Sequence, residues 1–300
     1  MKKALVTGGA GFVGHHLVRA LVARGVHVSV LDDLSTGKQE RLATIPHHFY
    51  RGSITSKGEI MEALRDVDTV FHLAALVSVE ESVRDPARAF SLNDTATRLV
   101  LDCAAEVGVS RFVYSSSAAV FGNVTVLPVS ESTPCAPVSP YGASKLASET
   151  YVLAHPTVRT VALRYFNIIG IGQDPQSPYA AVVPIFIDRI RRGAPIVIFG
   201  DGTQTRDFVS VEDVAEANIA AASAPLTQNE LCVIGTGIET SLLEVYTHIE
   251  RISGLSVPVT FAPARAGDIL RSVSDPTHAH AVLGWRASRS IDDSLHTLLT

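Results

Sequence analysis

The chain has 300 residues, enough for one large domain or two modest ones, and for a core that removes about three quarters of the unfolded surface from water. Hydrophobic residues make up 46% and charged residues 18%, which excludes a disordered chain. A net charge of −5 with no basic run excludes nucleic acid and an anionic membrane as main partners, so a phosphate-bearing ligand has to be held by helix N-termini and single arginines.

In chain order, the start Met1-Lys2-Lys3 and the apolar run after it imitate a signal peptide. Gly8, Gly9, Gly11, Gly14, His15 and His16 interrupt that run, and no small-residue cleavage site follows. No stretch reaches the roughly 20 apolar residues a membrane span needs. Lys3–Thr7 reads as a strand, Phe12–Arg24 as a helix and Val26–Leu31 as a second strand. His48–Arg51, Thr69–Leu73 and Arg111–Ser115 continue as strands, with helices near Lys57–Leu64 and Ala87–Val107. Pro140–Ala154 reads as a further helix before the strand Thr160–Arg164. This alternation predicts an α/β fold of the doubly wound, Rossmann type, with a parallel sheet covered on both faces. After residue 165 prolines divide the chain into shorter pieces, predicting a first domain over 1–165 and a smaller substrate-binding region over 166–300 that closes on the strand C-termini. Segments near 197–222 are expected to pack back on the first domain. Cys103, Cys135 and Cys232 form neither a metal pattern nor a disulfide framework, which fits a reducing, cytoplasmic setting.

Gly8, Gly11 and Gly14 lie between the first strand and first helix in the G-x-x-G-x-x-G spacing that lets a backbone turn approach a pyrophosphate, with Phe12 and Val13 opening the helix whose N–H groups face it. Asp32 and Asp33 follow at the end of the second strand. A carboxylate there accepts hydrogen bonds from ribose hydroxyls and repels a 2′-phosphate, so the cofactor expected is NAD. Tyr141 and Lys145, four apart, share one face of their helix. The tyrosine is a poor base at its reference pKa of about 10, and a nearby ammonium and a cationic nicotinamide would both favour the phenolate. Ser117, at the C-terminal end of the fifth strand, is placed to relay a proton to Tyr141.

The glycine turn, Asp32, Leu73-Ala74-Ala75, Ser115-Ser116-Ser117, the Tyr-x-x-x-Lys pair and Arg164-Tyr165-Phe166-Asn167 together resemble the extended short-chain dehydrogenase/reductase family. The similarity runs through Gly202–Phe208 to Leu283-Gly284-Trp285 and is nearest to the nucleotide-sugar epimerases acting on UDP-glucose or UDP-N-acetylglucosamine. The resemblance implies Tyr141 as base, Lys145 on the nicotinamide ribose and Ser117 as the third catalytic residue. It extends the cofactor set to Ser35, Thr36, Gly37, Ser53, Ile54, Leu73, Ala74, Ala75, Asn93, Ser115 and Tyr165. It also implies that Asn167, Arg206, Arg265 and Asp268 hold the UDP moiety, with Ser78, Ser116 and Ser117 near the sugar, and that the protein is a homodimer. Ser53 stands where family members usually carry an aspartate near the adenine. Ala118 and Ala119 replace the acidic residues with which related dehydratases and decarboxylating enzymes move protons, which leaves oxidation at C4 and return of the hydride to the other face as the simplest chemistry. Ser272 occupies a position where relatives restricted to plain hexoses tend to carry tyrosine, so an N-acetylhexosamine or a uronic acid should fit. A uronate epimerase, a 4-keto-sugar reductase or dehydratase, and a non-catalytic NAD-binding sensor are the competing expectations.

Overall fold

The structure is a computed structural model, and it describes residues 1–175, 181–264 and 269–300. Seven parallel strands make the central sheet. In chain order the elements are β1 (Lys3–Thr7), α1 (Phe12–Ala23), β2 (His27–Asp32), β3 (His48–Arg51), α2 (Lys57–Ala63), β4 (Thr69–His72), α3 (Val79–Arg84), α4 (Pro86–Phe90), α5 (Ala96–Glu106), β5 (Arg111–Ser117), α6 (Pro140–Leu153) and β6 (Arg159–Tyr165). The second half adds β7 (Asn167–Ile169), α7 (Val182–Arg191), β8 (Ile196–Phe199), β9 (Thr205–Arg206), β10 (Phe208–Ser210), α8 (Val211–Ser223) and β11 (Glu230–Ile234). It ends with β12 (Thr240–Ser241), α9 (Leu242–Ser253), β13 (Val259–Ala262), α10 (Thr277–Leu283) and α11 (Ile291–Leu299).

The sheet order is β11-β6-β5-β4-β1-β2-β3, every neighbouring pair parallel. β1 is buried from Ala4 to Thr7 and β4 throughout, as expected of strands covered on both faces. The chain order reverses on either side of β1 and β4, which opens a crevice at their C-terminal ends. One apolar cluster, with Leu17, Val18 and Leu21 of α1 and Val214 of α8, lies on one face of the sheet. A second, with Val100 and Leu101 of α5 and Val152 of α6, lies on the other. A third, around Phe186, Ile196 and Val245, forms the core of the second half.

One expectation is corrected here. β11, which the sequence reading placed in the second region, is the edge strand of the central sheet, so the two halves interleave instead of meeting at residue 165. α8 packs against α1 as expected. Asp213 of α8 accepts hydrogen bonds from Ser288 and Arg289, and its carbonyl accepts from the Trp285 indole, tying the C-terminal segment to the same layer. The helix expected near Ala87–Val107 is present and carries a π-turn over Ser91–Thr95 between α4 and α5. The extra residue of a π-turn re-aims side chains and is frequent at functional sites. No helix among the described residues is long and apolar enough to cross a membrane.

Candidate active site

The glycine turn is held against the sheet by close backbone approach. Gly8 has φ +70, and a Cβ on it would stand 2.7 Å from the Ala74 nitrogen. A Cβ on Gly14 would stand 2.1 Å from the Gly8 carbonyl oxygen. Gly11 is the N-cap of α1 and carries no capping side chain, so the first-turn N–H groups at Phe12 and Val13 face the turn uncapped. This is a cradle for an anion at a helix N-terminus.

Asp32 is buried at the end of β2. Its Oδ2 accepts the Ala10 N–H at 2.9 Å and its Oδ1 the Leu34 N–H at 2.9 Å. Burial raises its pKa, with those two hydrogen bonds opposing the rise. Gly37 lies beside this carboxylate, and Asp33, Ser35 and Thr36 are exposed around it. Leu73, Ala74 and Ala75 leave β4 next to Gly8, half-buried. Ser53 and Ile54 follow β3, and the Ser53 N–H is taken by Glu59 at 2.6 Å. A carboxylate therefore stands beside Ser53 although residue 53 is not itself acidic. The residues present fit an NAD: an uncapped helix start for the pyrophosphate and a buried carboxylate for the ribose. Asp32→Ala is expected to weaken NAD binding at least tenfold and to erase most of the discrimination against NADP. Fluorescence titration with both nucleotides measures this, and unchanged discrimination would remove Asp32 from its role.

Tyr141 is half-buried in the first turn of α6. Its N–H is one of the groups a helix start leaves unpaired, and it is accepted by the fully buried Ser82 hydroxyl at 3.0 Å. Ser139 caps the next N–H, from Gly142, at 3.1 Å. Burial raises the Tyr141 pKa, while a hydrogen bond with Ser117 pulls it down. The Ser117 hydroxyl accepts the Ala119 N–H at 3.2 Å at the end of β5. Ser117 and Tyr141 are thus brought together, as expected.

Lys145 is buried one turn further along α6. Its ammonium donates to the Ser115 carbonyl at 2.8 Å and lies 4.9 Å from the Tyr114 ring centre. Burial pushes its pKa down to about 7, opposed by Glu149. The unfolded chain holds this proton up to about pH 10.5, so folding against a protonated Lys145 carries a cost that is complete below about pH 7 and fades toward 10.5. Lys145→Met should therefore raise the Tm by several degrees at pH 6, with a smaller gain at pH 9, while lowering kcat. A thermal-shift series across pH reads this directly, and a destabilised variant at pH 6 would refute it.

The remaining expected residues divide. Strand alternation puts Ser115 and Ser117 on one face of β5 and Ser116 on the other. The Ser116 hydroxyl donates to Glu149 at 2.6 Å, and Glu149 also holds Arg164 at 2.6 Å in a buried ion pair. The Ser116 hydroxyl is therefore engaged on the opposite face of β5 from Ser117. The polar atoms of Asn93, Ser115 and Tyr165 are used within the protein. Asn93 pairs with both backbone groups of Leu76, and the Tyr165 phenol bonds Ser115 at 3.1 Å and Asn218 at 2.9 Å.

Ser78 caps α3, accepting the Glu81 N–H at 2.9 Å. Asn167 is exposed at the start of β7. The Arg206 guanidinium donates to the carbonyls of Thr205 and Ile269. Arg265 and Asp268 lie outside the described residues. Ser272 is half-buried in the segment between Arg271, paired with Glu239, and the buried Ser274.

Sequence reasoning missed Ser82, His72, Arg41 and Asp207. Arg41 donates to the Ala10 carbonyl at 3.3 Å and the Gly172 carbonyl at 2.6 Å, joining the glycine turn to the second half. α3, which carries Ser82, was legible in Ser78-Val79-Glu80-Glu81, an S-x-x-E helix-start pattern.

Comparison with known proteins agrees with this geometry. Residues 4–235 match the model of the NAD dependent epimerase/dehydratase family. The chain is 37% identical to a UDP-glucose 4-epimerase of Lactobacillus helveticus, over 98% of this chain and 95% of that one. A crystal structure of a UDP-glucose 4-epimerase from Thermus thermophilus, in complex with NAD, superposes with a TM-score of 0.89 at 35% identity, covering 99% of this chain and 97% of that one. A UDP-N-acetylglucosamine 4-epimerase from Methanobrevibacter ruminantium, in complex with UDP-N-acetylmuramic acid, superposes with a TM-score of 0.94 at 33% identity over the same shares.

Proposed function

Since the chain belongs to the NAD-dependent epimerase/dehydratase family, we propose that it is a UDP-sugar 4-epimerase in which Tyr141 is the base, Ser117 its partner toward the sugar 4-hydroxyl, and Lys145 the buried cation beside the nicotinamide ribose. The observation that carries this reading is the buried Lys145, whose ammonium donates to the Ser115 carbonyl at 2.8 Å one helical turn from Tyr141, with Ala118 and Ala119 after Ser117 in place of any acidic side chain. Dehydration needs a second proton carrier there, and the site offers none at those positions.

When bound, NAD takes a hydride from the sugar carbon and gives it back. The chain does the rest. Ser117 aligns the 4-hydroxyl, and Tyr141 receives its proton and later returns it. Burial alone holds Tyr141 protonated, so the phenolate depends on the positive charges of Lys145 and the oxidised nicotinamide. The base is thereby matched to the oxidised state of the site. Asn167, Arg206, Arg265 and Asp268 hold the UDP, and Ser78 and Ser272 border the sugar. Firm binding of the non-reacting nucleotide leaves the 4-keto sugar free to turn over between the two hydride transfers. Ser272 leaves room for an N-acetyl group. A homodimer and a reducing, cytoplasmic setting complete the reading; the three cysteines are unpaired.

The test is proton NMR of the purified protein incubated with UDP-glucose, UDP-N-acetylglucosamine or UDP-glucuronate without added NAD. Appearance of a 4-epimer establishes the reaction, shows that NAD co-purifies and ranks the sugars. No conversion of any of the three, with NAD then supplied, would overturn the assignment.

A further inference from the structure

Five buried residues outside the proposed base-and-cation set form one continuous line of hydrogen bonds between the glycine turn and the catalytic helix. The line begins at Thr7, the last residue of β1, whose hydroxyl lies 2.8 Å from His72 Nδ1. His72 Nε2 lies 2.9 Å from the Thr97 hydroxyl. Thr97 donates to the Asn93 carbonyl at 2.6 Å, and the Asn93 amide donates to Ser144 Oγ at 3.0 Å. Ser144 donates to the Tyr141 carbonyl at 2.8 Å. Thr7, His72, Thr97, Asn93 and Ser144 are each no more than 1% exposed.

The direction of every hydrogen in the line is fixed by the two ends. The Thr97 proton is committed to Asn93, so Thr97 must accept from His72, which puts the imidazole proton on Nε2. Nδ1 is then an acceptor, and Thr7 must donate to it. That leaves the Thr7 lone pairs to accept the N–H groups of Leu73 at 3.2 Å and Ala74 at 3.3 Å, the backbone against which Gly8 packs. The other end is equally specified. Asn93 Oδ1 accepts the Leu76 N–H at 2.8 Å, which sets its amide orientation, and Ser144 reaches the carbonyl of the residue that carries the phenol. The π-turn over Ser91–Thr95 is what turns Asn93 toward Leu76 and Ser144 and presents its carbonyl to Thr97.

We infer that His72, as the neutral Nε2–H tautomer, is a positioning residue: it sets the distance between the cofactor turn and Tyr141 through Thr7 on one side and Thr97, Asn93 and Ser144 on the other. The ring is buried among protein groups, 1% exposed. A protonated ring would place a donor against the Thr7 hydroxyl, forcing that hydroxyl to turn its proton away, and would stand near the ammonium of Lys145. The groups facing it are the hydroxyls of Thr7 and Thr97, the rings of Phe112 and Tyr114, and Lys145. None is an anion that would stabilise a charged imidazole. Burial and Lys145 hold its pKa at about 3, so the tautomer persists through the range in which enzymes of this class work.

This inference rests on the epimerase reading for its kinetic arm and is independent of it for its spectroscopic arm. In His72→Phe, which keeps a ring and removes both hydrogen bonds, kcat should fall by more than tenfold with the KM for UDP-glucose changed less than threefold and NAD still bound after gel filtration. Thr97→Val should reproduce the loss. The double variant should be no worse than the poorer single one, because one line is already broken. His72→Gln, whose amide can donate to Thr97, should recover part of kcat. Losses in the two single variants that multiply in the double would overturn the inference, as would a His72→Phe enzyme within twofold of wild type. If His72→Phe does not fold, the comparison of Thr97→Val with Ser144→Ala carries the same test. Separately, 15N NMR of the imidazole nitrogens of the wild-type protein should show a neutral Nε2–H ring from pH 5 to 9. An Nδ1–H ring, or titration in that range, refutes the line even if no UDP-sugar is turned over.

Discussion

Tyr141→Phe should lose roughly 10³- to 10⁴-fold in turnover, the upper range for removal of a positioned acid-base group, while the protein still folds and retains NAD. Folding should survive because the backbone N–H of residue 141 keeps its bond to Ser82 and its carbonyl keeps the bond from Ser144, neither of which involves the phenol. NAD should be retained because the proposed cradle of Gly8, Gly11, Gly14 and Asp32 makes no use of the phenol. Loss of the hydroxyl leaves Ser117 with no acceptor for the proton of the 4-hydroxyl. Stopped-flow absorbance adds a second readout, since a slowed first step also slows the appearance of reduced cofactor on mixing with UDP-sugar. Turnover within tenfold of wild type would assign the base elsewhere.

Asp207→Ala should destabilise the protein by on the order of 3–5 kcal/mol, the range for breaking a buried charged network. Asp207 is fully buried and accepts five hydrogen bonds: the N–H and hydroxyl of Thr236 and the N–H of Gly237, with the N–H and hydroxyl of Ser274. Alanine would leave the N–H groups of Thr236 and the buried Ser274 without their acceptor, while that of Gly237 keeps the Ser274 hydroxyl. Asparagine would not repair the site, because its amide nitrogen would face donors. The carboxylate knots together three segments distant in sequence, and each matters to the crevice. Its own backbone carbonyl accepts the N–H of Asn167, and Arg206 precedes it. The midpoint in thermal unfolding should drop by roughly 10 °C, and in the folded fraction the KM for UDP-sugar should rise. A drop under 2 °C would show that those donors find other partners.

Much of the site was legible because its signals are local. The glycine spacing, the strand before it and the helix after it lie within a dozen residues, and Asp32 follows one helix and one strand later. Tyr141 and Lys145 needed only a helical period. The faces of Ser115, Ser116 and Ser117 were less legible; a run of identical residues carries no pattern, and the buried partner Glu149 shows which face Ser116 takes. What stayed hidden depends on pairing across long separations. β11 lies in the proline-divided half, and only its register against β6 places it in the central sheet. His72 reads as part of a buried strand, and its role exists only because Thr7 and Thr97 flank it from 65 and 25 residues away. Asp207 differs from a surface aspartate in nothing but its surroundings. The π-turn leaves no trace in hydrophobic spacing, since α4 and α5 continue one helical course on either side of it.

The interleaving of the halves bears on how a ribosome delivers this protein. When β6 has emerged, its outer edge has no neighbour, and the strand that covers it, β11, starts 65 residues after β6 ends, from residue 165 to residue 230. At roughly 5–20 residues per second this is a wait of about 3–13 s with an open apolar edge, a template for pairing with another nascent chain. The Trp285 and Arg289 anchors on Asp213 come later still. A copy cut at the apparent border near residue 165 would keep the complete cofactor cradle and lack the strand that closes the sheet, so it should accumulate in aggregates instead of as a small NAD-binding domain.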